Sequence, residues 1–357
     1  MKILLITVRS DFGGGPRHVD QLINRLPLDF EIFVAYPMDG VPYGKAWNSC
    51  ERIKKRFALP YRKFSIKTLL ELRKFVIKND IDVVHSHGNG AGLYSRLLKL
   101  VGVKAKIIHT FHGVSLNYKS KTKKMANCVL GRIFRYLTDC FICVSKGEFD
   151  LALKRKILVS SKAKIIYNGI DAPSQIETTA SGFNVLTLSR FDYQKNMDMA
   201  LDIARKLKKE AIQFVWVGDG PDFNRLKKTA EQERLKINFV GFSKEPFRYL
   251  QSSTMYLSTS RFEGLPYALI EAASAALPIV ATDVIGNNEV VINGENGFLF
   301  RDVNEGASKI KEVFYDESLR AQMSFNSKNV FLKSFTIEQM IAELMCVYKS
   351  MQKRVEL

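Results

Sequence analysis

Two carboxylates flank a glycine turn that looks suited to hold an anion. Glu263 precedes Gly264, and Glu271 lies within the helix predicted to begin at Pro266. Proline suits the first helical position, and the N–H groups around Leu265 then face an anion with the positive end of the helix dipole behind them. Carboxylates repel phosphate but accept hydrogen bonds from hydroxyls, and a nucleotide sugar offers both groups. A capped helix with two solvated glutamates is the alternative.

A pair of cations forms the second candidate group. Arg190 and Lys195 lie in Ser189–Asn196, directly after a predicted strand. They can converge on a diphosphate, because arginine offers a planar fork of donors and lysine a mobile point charge. Ordinary surface solvation is the alternative for two neighbouring cations. Gly218 and Phe242 lie in the turns that follow the next two predicted strands.

The first half of the chain offers glycines and histidines instead of paired charges. Gly14 and Gly15 lie between the strand Lys2–Val8 and a predicted helix after Pro16, which makes a second anion site or a flexible loop. His112 follows another predicted strand. A zinc cluster is unlikely from spacing, because no cysteine or carboxylate completes a ligand set. The histidines it would use are His85, His87, His109 and His112.

Alternating strands and helices must position these residues. The pattern predicts two doubly wound parallel sheets, with ligands at the carboxyl ends of the strands. The predicted strands are Lys2–Val8, Glu31–Tyr36, Ile81–His85, Lys106–Thr110, Cys140–Val144, Asn184–Ser189, Ile212–Val217, Lys236–Val240, Met255–Ser258 and Pro278–Ala281. Between them we expect helices Ile66–Lys78, Gly92–Val101, Met125–Leu137, 197–209 and 222–233, and after them Val303–Tyr315, Glu317–Phe331 and Thr336–Met351.

The stretch S-R-F-E-G-L-P-Y-A-L-I-E-A at 260–272 resembles the signature of retaining glycosyltransferases of family 4 (glycosyl transferases group 1). Further matches follow in the family's order over nearly the whole chain. The resemblance implies an α/β GT-B fold, with two doubly wound Rossmann-like domains facing across a cleft. The implied domains are 1–172 on the acceptor side, joined by the last helix 336–357, and 183–335 for the nucleotide sugar. Pro173–Gly182 is the predicted linker.

The resemblance also implies roles for the candidate residues. His112 matches the family's cleft histidine near the donor sugar. Arg190 and Lys195 match an arginine and a lysine that stabilise the leaving nucleoside diphosphate, and Glu263 would accept hydroxyls of the donor sugar. The residues implied to bind the donor are Gly14, Gly15, Arg190, Lys195, Gly218, Phe242, Gly264, Leu265, Pro266 and Glu271. Glu271 would accept the ribose hydroxyls.

The activity implied is transfer of a hexose or N-acetylhexosamine, with retention and without a metal or other cofactor. The donor would be a UDP-sugar, and the acceptor a glycan or lipid-linked glycan of cell-surface polysaccharide or lipopolysaccharide assembly. One alternative is a sugar-nucleotide epimerase or sugar-phosphate synthase on the same fold. Another is a non-catalytic membrane- or nucleic-acid-binding module, which would not need Arg190, Lys195, Glu263 and Glu271 together.

The net charge of +18 lies entirely in the first half of the chain. Residues 1–175 contain 31 Lys and Arg against 13 Asp and Glu, whereas residues 176–357 contain 23 of each. This asymmetry predicts an anionic partner for one domain, and basic residues without regular aromatic neighbours favour a membrane surface over nucleic acid. We therefore expect a cytoplasmic protein, peripheral at the inner face of the plasma membrane.

Composition supports a soluble globular protein of two domains. The 357 residues are 46% hydrophobic and 25% charged, without an apolar run long enough to span a membrane. Five cysteines without an export signal predict reduced thiols in the cytosol. Cys140 and Cys143 have the spacing of a redox or zinc motif, but a strand points them to opposite faces, so we predict buried core residues.

Overall fold

The chain folds into two compact units, which are described separately. A computed structural model describes residues 1–114, 121–173 and 182–352. Unit 1 comprises Met1–Tyr167 and the chain from Gln339 onward, and unit 2 comprises Asn168–Glu338. The predicted linker Pro173–Gly182 lies almost entirely outside the described residues. Within those residues, the structure has no helix that is both long and apolar enough to cross a membrane.

Unit 1 contains a seven-stranded parallel sheet in the order β3-β2-β1-β4-β5-β6-β7. Its strands are β1 (Lys2–Thr7), β2 (Glu31–Tyr36), β3 (Ile53–Ala58), β4 (Val83–His87), β5 (Lys106–Thr110), β6 (Cys140–Cys143) and β7 (Ala163–Ile165). Its helices are α1 (Gly14–Arg25), α2 (Tyr43–Asn48), α3 (Ile66–Lys78), α4 (Gly88–Leu100), α5 (Lys121–Phe134) and α6 (Lys146–Lys154). The strand order reverses at β1, so the loops after β1 and β4 diverge at the carboxyl edge.

Unit 2 contains a six-stranded parallel sheet in the order β10-β9-β8-β11-β12-β13. Its strands are β8 (Phe183–Leu188), β9 (Ile212–Val217), β10 (Ile237–Gly241), β11 (Met255–Ser258), β12 (Ile279–Thr282) and β13 (Gly297–Phe300). Its helices are α7 (Met197–Lys206), α8 (Phe223–Gln232), α9 (Phe247–Gln251), α10 (Tyr267–Ser274), α11 (Asn287–Val290), α12 (Val303–Tyr315) and α13 (Glu317–Ser334), and α14 (Ile337–Met351) then returns the chain to unit 1. The switch in strand order falls at β8.

The predicted doubly wound sheets are confirmed. The elements missed from the sequence are β3, β7, β13, α2, α6, α9 and α11. β3 reads Ile53-Lys54-Lys55-Arg56-Phe57-Ala58 and is the edge strand, with its two lysines exposed. An edge strand need not be apolar on both faces, so the search for continuous apolar runs did not find it. α2, α9 and α11 are six residues or fewer, too short to show a helical period.

The two helix starts predicted at prolines were wrong, and α4 and α5 begin four residues earlier than predicted, at Gly88 and Lys121. Pro16 is the third residue of α1, which begins at Gly14, and Pro266 precedes α10 with an extended backbone at ψ 121°. Gly14 and Gly15 therefore belong to the first turn of α1 and not to a free loop. At 266 the proline ends the turn from β11, and its missing N–H again leaves no donor unpaired.

The cysteine prediction is confirmed. Cys140 and Cys143 lie at the two ends of β6, are buried and form no disulfide. Burial raises the pKa of the Cys140 thiol to about 11 and raises that of Cys143 further. A thiol that stays protonated is neither a good nucleophile nor a good metal ligand, so the pair is part of the core.

A glycine joins the first two loops of unit 2 at the carboxyl edge of its sheet. Gly218 follows β9 with φ +137°, and a Cβ atom there would lie 1.8 Å from the carbonyl oxygen of Ser189. Its N–H donates to the carbonyl of Gly241 at 2.8 Å, while Ser189 N–H donates to Val217 at 3.0 Å. The ends of β8, β9 and β10 are thereby held together, and only glycine fits at their centre.

Gly218→Ala should destabilise unit 2 far more than Gly294→Ala. Both glycines have positive φ, but around Gly294 no atom lies within 4 Å of an added Cβ. We expect a loss of roughly 2–5 kcal/mol at Gly218, where overlap adds to strain, and about 1–2 kcal/mol at Gly294 from strain alone. Urea unfolding in a Trp47→Phe background isolates the fluorescence of Trp216, the other tryptophan of the chain. Equal losses would contradict the close approach.

Candidate active site

The loop between β8 and α7 presents both predicted cations. Asp192 organises it: the carbonyl of Asp192 accepts the backbone N–H of Lys195 at 3.1 Å and that of Asn196 at 3.1 Å. Asn196 then adopts a left-handed backbone, with φ 52°, and α7 begins. Asparagine tolerates this conformation better than most residues. The tight turn fixes Lys195 on the carboxyl side of the sheet, while Arg190 leaves the strand end half-exposed.

The loop after β11 is hydrogen-bonded to backbone carbonyls of the loop between β8 and α7, and accepts one hydrogen bond in return. The hydroxyl of Thr259 donates to the carbonyl of Lys195 at 3.0 Å, and Arg261 N–H donates to the carbonyl of Gln194 at 2.8 Å. The Gln194 amide in turn donates to the carbonyl of Phe262 at 3.1 Å. These three hydrogen bonds connect the loop between β8 and α7 to the loop after β11, which carries Glu263.

Lys195 and Glu263 form a close ion pair. Lys195 Nζ donates to Glu263 Oε1 at 2.5 Å, and Gln194 Nε2 donates to Glu263 Oε2 at 3.2 Å. The Glu263 side chain is only 7% exposed. An ammonium carries three donors, so Lys195 keeps donors for a further acceptor. The sequence assigned these two residues to separate parts of the donor, whereas the structure brings them into direct contact.

Arg190 is paired in the same way with Asp192. Its Nε donates to Asp192 Oδ2 at 2.5 Å, which leaves the other guanidinium N–H groups for another partner. The guanidinium is 49% exposed, so the pair itself adds little stability in water. Sequence reasoning missed Asp192 and Gln194, although both lie within Ser189–Asn196. Polar residues between two cations are the signal that could have identified them.

The turn Gly264-Leu265-Pro266 is braced from two sides before α10 begins. Asn168, which is buried, donates from its amide to the carbonyl of Leu265 at 2.9 Å. A Cβ at Gly286 would lie 2.5 Å from the carbonyl oxygen of Gly264, so the segment after β12 packs closely on this turn. Pro266 provides no side-chain cap to α10, whose positive dipole end lies at this turn.

A polar pocket lies at the carboxyl ends of β8 and β11. Ser189, Lys195, Thr259 and Pro266 are among the residues that line it. Tyr256 forms its floor: its hydroxyl donates to the carbonyl of Leu188 at 3.0 Å and accepts from Leu188 N–H at 3.2 Å. Burial raises the pKa of Tyr256 strongly, and the nearby carboxylates Glu271 and Glu263 raise it further. The pocket combines a cation, hydroxyls and a helix N-terminus, which together suit a phosphate.

Two further predicted residues flank this pocket in unit 2. Glu271 is half-buried on α10, and its effect on Tyr256 places its charge close to the pocket floor. Phe242 directly follows β10 and is 51% exposed. Through Gly218 the end of β10 is held against the ends of β9 and β8, as described above. An exposed aromatic ring beside these turns can stack on a flat ligand group.

The predicted residues of unit 1 form a separate group. Gly15 lies in the first turn of α1, and a Cβ there would be 3.7 Å from the His112 ring. His112 has a left-handed backbone with φ +58°. Its Nε2 lies 3.0 Å from Nδ1 of His87, at the end of β4. Gly15 and His112 therefore lie close together at the carboxyl edge of this sheet.

The imidazoles of unit 1 are packed against each other instead of around a metal. His85 contacts His87 with ring centroids 4.1 Å apart, and His18 lies 4.8 Å from His112. No group of three His, Cys, Asp or Glu side chains among the described residues could hold a metal ion. Burial lowers the pKa values of His85, His87, His109 and His112 well below the usual value, so these imidazoles are neutral near pH 7.

The two parallel sheets, each with a switch in strand order, place this chain in the GT-B fold class. HepE from Anabaena, solved in complex with UDP and glucose, aligns with a TM-score of 0.82 at 18% identity, covering 98% of this chain and 100% of that chain. The family model described as Glycosyltransferase Family 4 matches residues 12–173, and that described as Glycosyl transferases group 1 matches residues 174–330. The chain belongs to the family 4 glycosyltransferases.

Curated relatives are similar over most of the chain. The O-antigen biosynthesis glycosyltransferase WbnH of Escherichia coli is 27% identical over 322 residues, which cover 89% of this chain and 91% of WbnH. A UDP-Gal:alpha-D-GlcNAc-diphosphoundecaprenol alpha-1,3-galactosyltransferase of the same species is 26% identical over 316 residues, 80% of each chain. The predicted family and fold class are confirmed by these matches.

Unit 1 should lose stability as the pH falls below about 6.5, the pKa of an exposed histidine. The folded-state pKa values of His85, His87, His109 and His112 are lowered by burial, so only the unfolded chain takes up protons just below pH 6.5. The stabilising contribution is complete above that pH. It declines by up to about 1.4 kcal/mol per pH unit for each histidine as the pH falls towards the folded-state values.

Urea unfolding between pH 7.5 and 5 can measure this in a Trp216→Phe background, which leaves Trp47 of unit 1 as the fluorophore. The lower limit avoids most carboxylate titration. His109→Asn serves as the matched variant. Removing one buried histidine should reduce the slope of the free energy of unfolding against pH by about one proton. A free energy of unfolding that does not change between pH 6.5 and 5 would contradict buried neutral imidazoles.

Proposed function

We propose that this glycosyltransferase moves a hexose or N-acetylhexosamine from a UDP-sugar to a glycan or lipid-linked acceptor in cell-surface polysaccharide or lipopolysaccharide assembly. The polar pocket of unit 2 is the observation that carries the proposal, since it offers Lys195 and the N-terminus of α10 to a diphosphate. The names of the curated relatives support the acceptor class, and the UDP bound to HepE supports the donor class.

Each candidate residue of unit 2 has a proposed role. Lys195 and Arg190 each keep unused donors beside a carboxylate, so they can bind the diphosphate as its charge grows during bond cleavage. Glu271 accepts the ribose hydroxyls, while Gly218 and Phe242 border the base. The Leu265 amide and the N-terminal end of α10 add dipoles without charge. With cations and dipoles in these roles, we propose that the reaction requires no metal ion.

We further propose that the sugar keeps its anomeric configuration. Both oxygens of Glu263 already accept hydrogen bonds, from Lys195 and Gln194, which makes this carboxylate a weak nucleophile and a good acceptor for sugar hydroxyls. The acceptor oxygen then attacks the face from which the diphosphate leaves. Its proton passes to the departing phosphate oxygen. His112 and the first turn of α1 at Gly14 and Gly15 are the unit 1 groups assigned to the donor.

Lys195→Ala should lower turnover by about 100-fold, the effect of removing one transition-state donor. The assay incubates the protein with a panel of UDP-sugars and lipid-linked acceptors, and NMR of the product gives the anomeric configuration. Lys227→Ala, an exposed lysine of α8, is the matched control. Excess chelator should leave the wild type active. Inversion of configuration, or inactivation by chelator that a metal ion reverses, would contradict the mechanism.

Measurements of UDP and uridine binding distinguish a loss of contacts to the diphosphate from a loss of folding. Lys195→Ala should weaken UDP binding but not uridine binding, because uridine lacks the phosphates. Glu271→Ala should weaken both ligands by roughly 1.5–3 kcal/mol, the contribution of a hydrogen bond to a charged acceptor. Equal UDP affinity in wild type and Glu271→Ala would refute the ribose assignment.

We also propose that unit 1 binds an anionic membrane surface, through α5 and the turn that follows it. Met125, Val129 and Ile133 form an exposed apolar stripe one helical turn apart, and Tyr136 continues it. The opposite face packs inward, since a Cβ at Gly131 would lie 2.8 Å from Ile157. Residues 121–137 contain five basic residues and no acidic one. Part of the basic run 119–135 lies outside the described residues.

This arrangement suits the cytoplasmic face of a plasma membrane, because that leaflet is anionic and attracts lysine and arginine. Each basic residue near the surface contributes about 1 kcal/mol, and the attraction fades within about 10 Å at 0.1 M salt. Apolar side chains inserted into the bilayer add a contribution to the free energy of binding that does not depend on salt. The proposed location is therefore peripheral, in the cytoplasm at the inner leaflet where lipid-linked acceptors are exposed.

Ile133→Asp should weaken binding to anionic vesicles about tenfold or more, since it places a charge in the apolar stripe. Phe325→Asp is the matched control, because Phe325 is equally apolar and 68% exposed on α13 of unit 2. Sedimentation with neutral and anionic phospholipid vesicles at low and high salt gives the measurement. Binding that ignores lipid charge and salt, or equal effects of the two substitutions, would contradict the proposal.

A further inference from the structure

All five histidines of the chain lie in unit 1, and the rings of four of them, His18, His85, His87 and His112, make one cluster. His109 instead lies against Ser86 and Phe111. His85 and His87 come from β4, His109 from β5, His112 from the loop after β5, and His18 from α1. His85 is fixed by both ring nitrogens, with Nδ1 2.7 Å from the Tyr348 hydroxyl and Nε2 2.7 Å from Thr110 Oγ1. The ring of His85 also packs against the ring of His87, with centroids 4.1 Å apart.

The bond between His87 and His112 admits two arrangements of protons. It joins Nδ1 of His87 to Nε2 of His112 at 3.0 Å, and the two rings lie nearly parallel at 26°. One ring must donate and the other accept, because a neutral imidazole carries a single N–H. His87 is 4% exposed, and its Nε2 is buried without a hydrogen-bond partner. That nitrogen decides between the two arrangements.

If His112 donated, His87 would carry its proton on Nε2 and bury an N–H group without an acceptor. If His87 donates from Nδ1, its Nε2 buries only a lone pair. Buried N–H groups without partners are rarer in folded proteins than under-satisfied acceptors, and each missing hydrogen bond to a buried donor is costly. The second arrangement is therefore favoured.

We propose that His87 is a positioning residue that donates its Nδ1–H to Nε2 of His112 and thereby holds His112 as the Nδ1–H tautomer. The backbone of His112, at φ +58°, and the first turn of α1 at Gly15 fix the acceptor ring. The strand β4 and the His85 ring fix the donor. A neutral imidazole then presents a hydrogen-bond donor at Nδ1 of the half-buried His112.

The consequence for catalysis rests on the proposed function, whereas the tautomer does not. In sugar transfer, a neutral donor at His112 Nδ1 can hydrogen-bond an oxygen of the donor sugar without adding a positive charge. A positive imidazole would oppose the positive charge that develops at the anomeric carbon when the diphosphate leaves. Burial, which lowers the pKa of both rings, keeps the pair neutral near pH 7.

Nitrogen NMR tests the tautomer directly on the whole, tag-free protein labelled with ¹⁵N-histidine. With five histidines the spectrum contains few signals, and a protonated ring nitrogen is well separated from a bare one. His112→Asn and His87→Asn assign the two rings. We expect protonated Nδ1 and bare Nε2 on both His87 and His112. A proton on Nε2 of His112, or a doubly protonated ring near pH 7, would overturn the proposal.

Two substitutions test the positioning role. In His87→Asn the side-chain amide lies where Nδ1 of His87 was and can hydrogen-bond His112. In His87→Gln the amide lies nearer the place of Nε2. His87→Gln should lower kcat roughly 10-fold with little change in donor KM, as for other outer-shell partners of a functional histidine, and should leave His112 free to exchange tautomers. His87→Asn should restore most of the activity. Equal kinetics in both variants would overturn the role, and inactivity with every donor would refute the proposed function while the NMR result stands.

Discussion

The ion pair between Lys195 and Glu263 joins two loops of unit 2. It connects a cation from the loop after β8 to a carboxylate from the loop after β11, two strands that are neighbours at the switch in strand order. Three hydrogen bonds to backbone carbonyls hold the same two loops together. The charges therefore have one defined separation before any ligand arrives, which is what an electrostatic site needs.

Such an ion pair adds little to the free energy of folding, but it fixes the relative position of its two side chains. Moving two charges out of water costs about as much as their attraction returns, whereas losing one partner leaves a buried charge without compensation. Glu263 is nearly buried and also accepts from Gln194, so its environment is satisfied only while the whole loop is in place. A ligand diphosphate can share the remaining donors of Lys195 without breaking this arrangement.

The sequence predicted the elements of this site better than their mutual contacts. Buried parallel strands such as β8 and β11 appear as short, mostly apolar runs, so their carboxyl ends, and hence Arg190, Lys195 and Glu263, could be placed from the pattern. The direct contact of Lys195 with Glu263 joins residues 68 positions apart, and no local rule specifies it. Asn168 bracing Leu265 is equally non-local, at a separation of 97 positions.

Unit 1 places a different set of polar side chains at its sheet edge. Besides the Arg9–Asp11 ion pair it buries neutral imidazoles, which escape the cost of desolvating an ion but must distribute their single protons over fixed partners. His85 meets this requirement with two hydroxyls, and His87 meets it on one side only. The unmet nitrogen of His87 is therefore informative, because it favours a bare Nε2 on His87 and hence the Nδ1–H tautomer of His112.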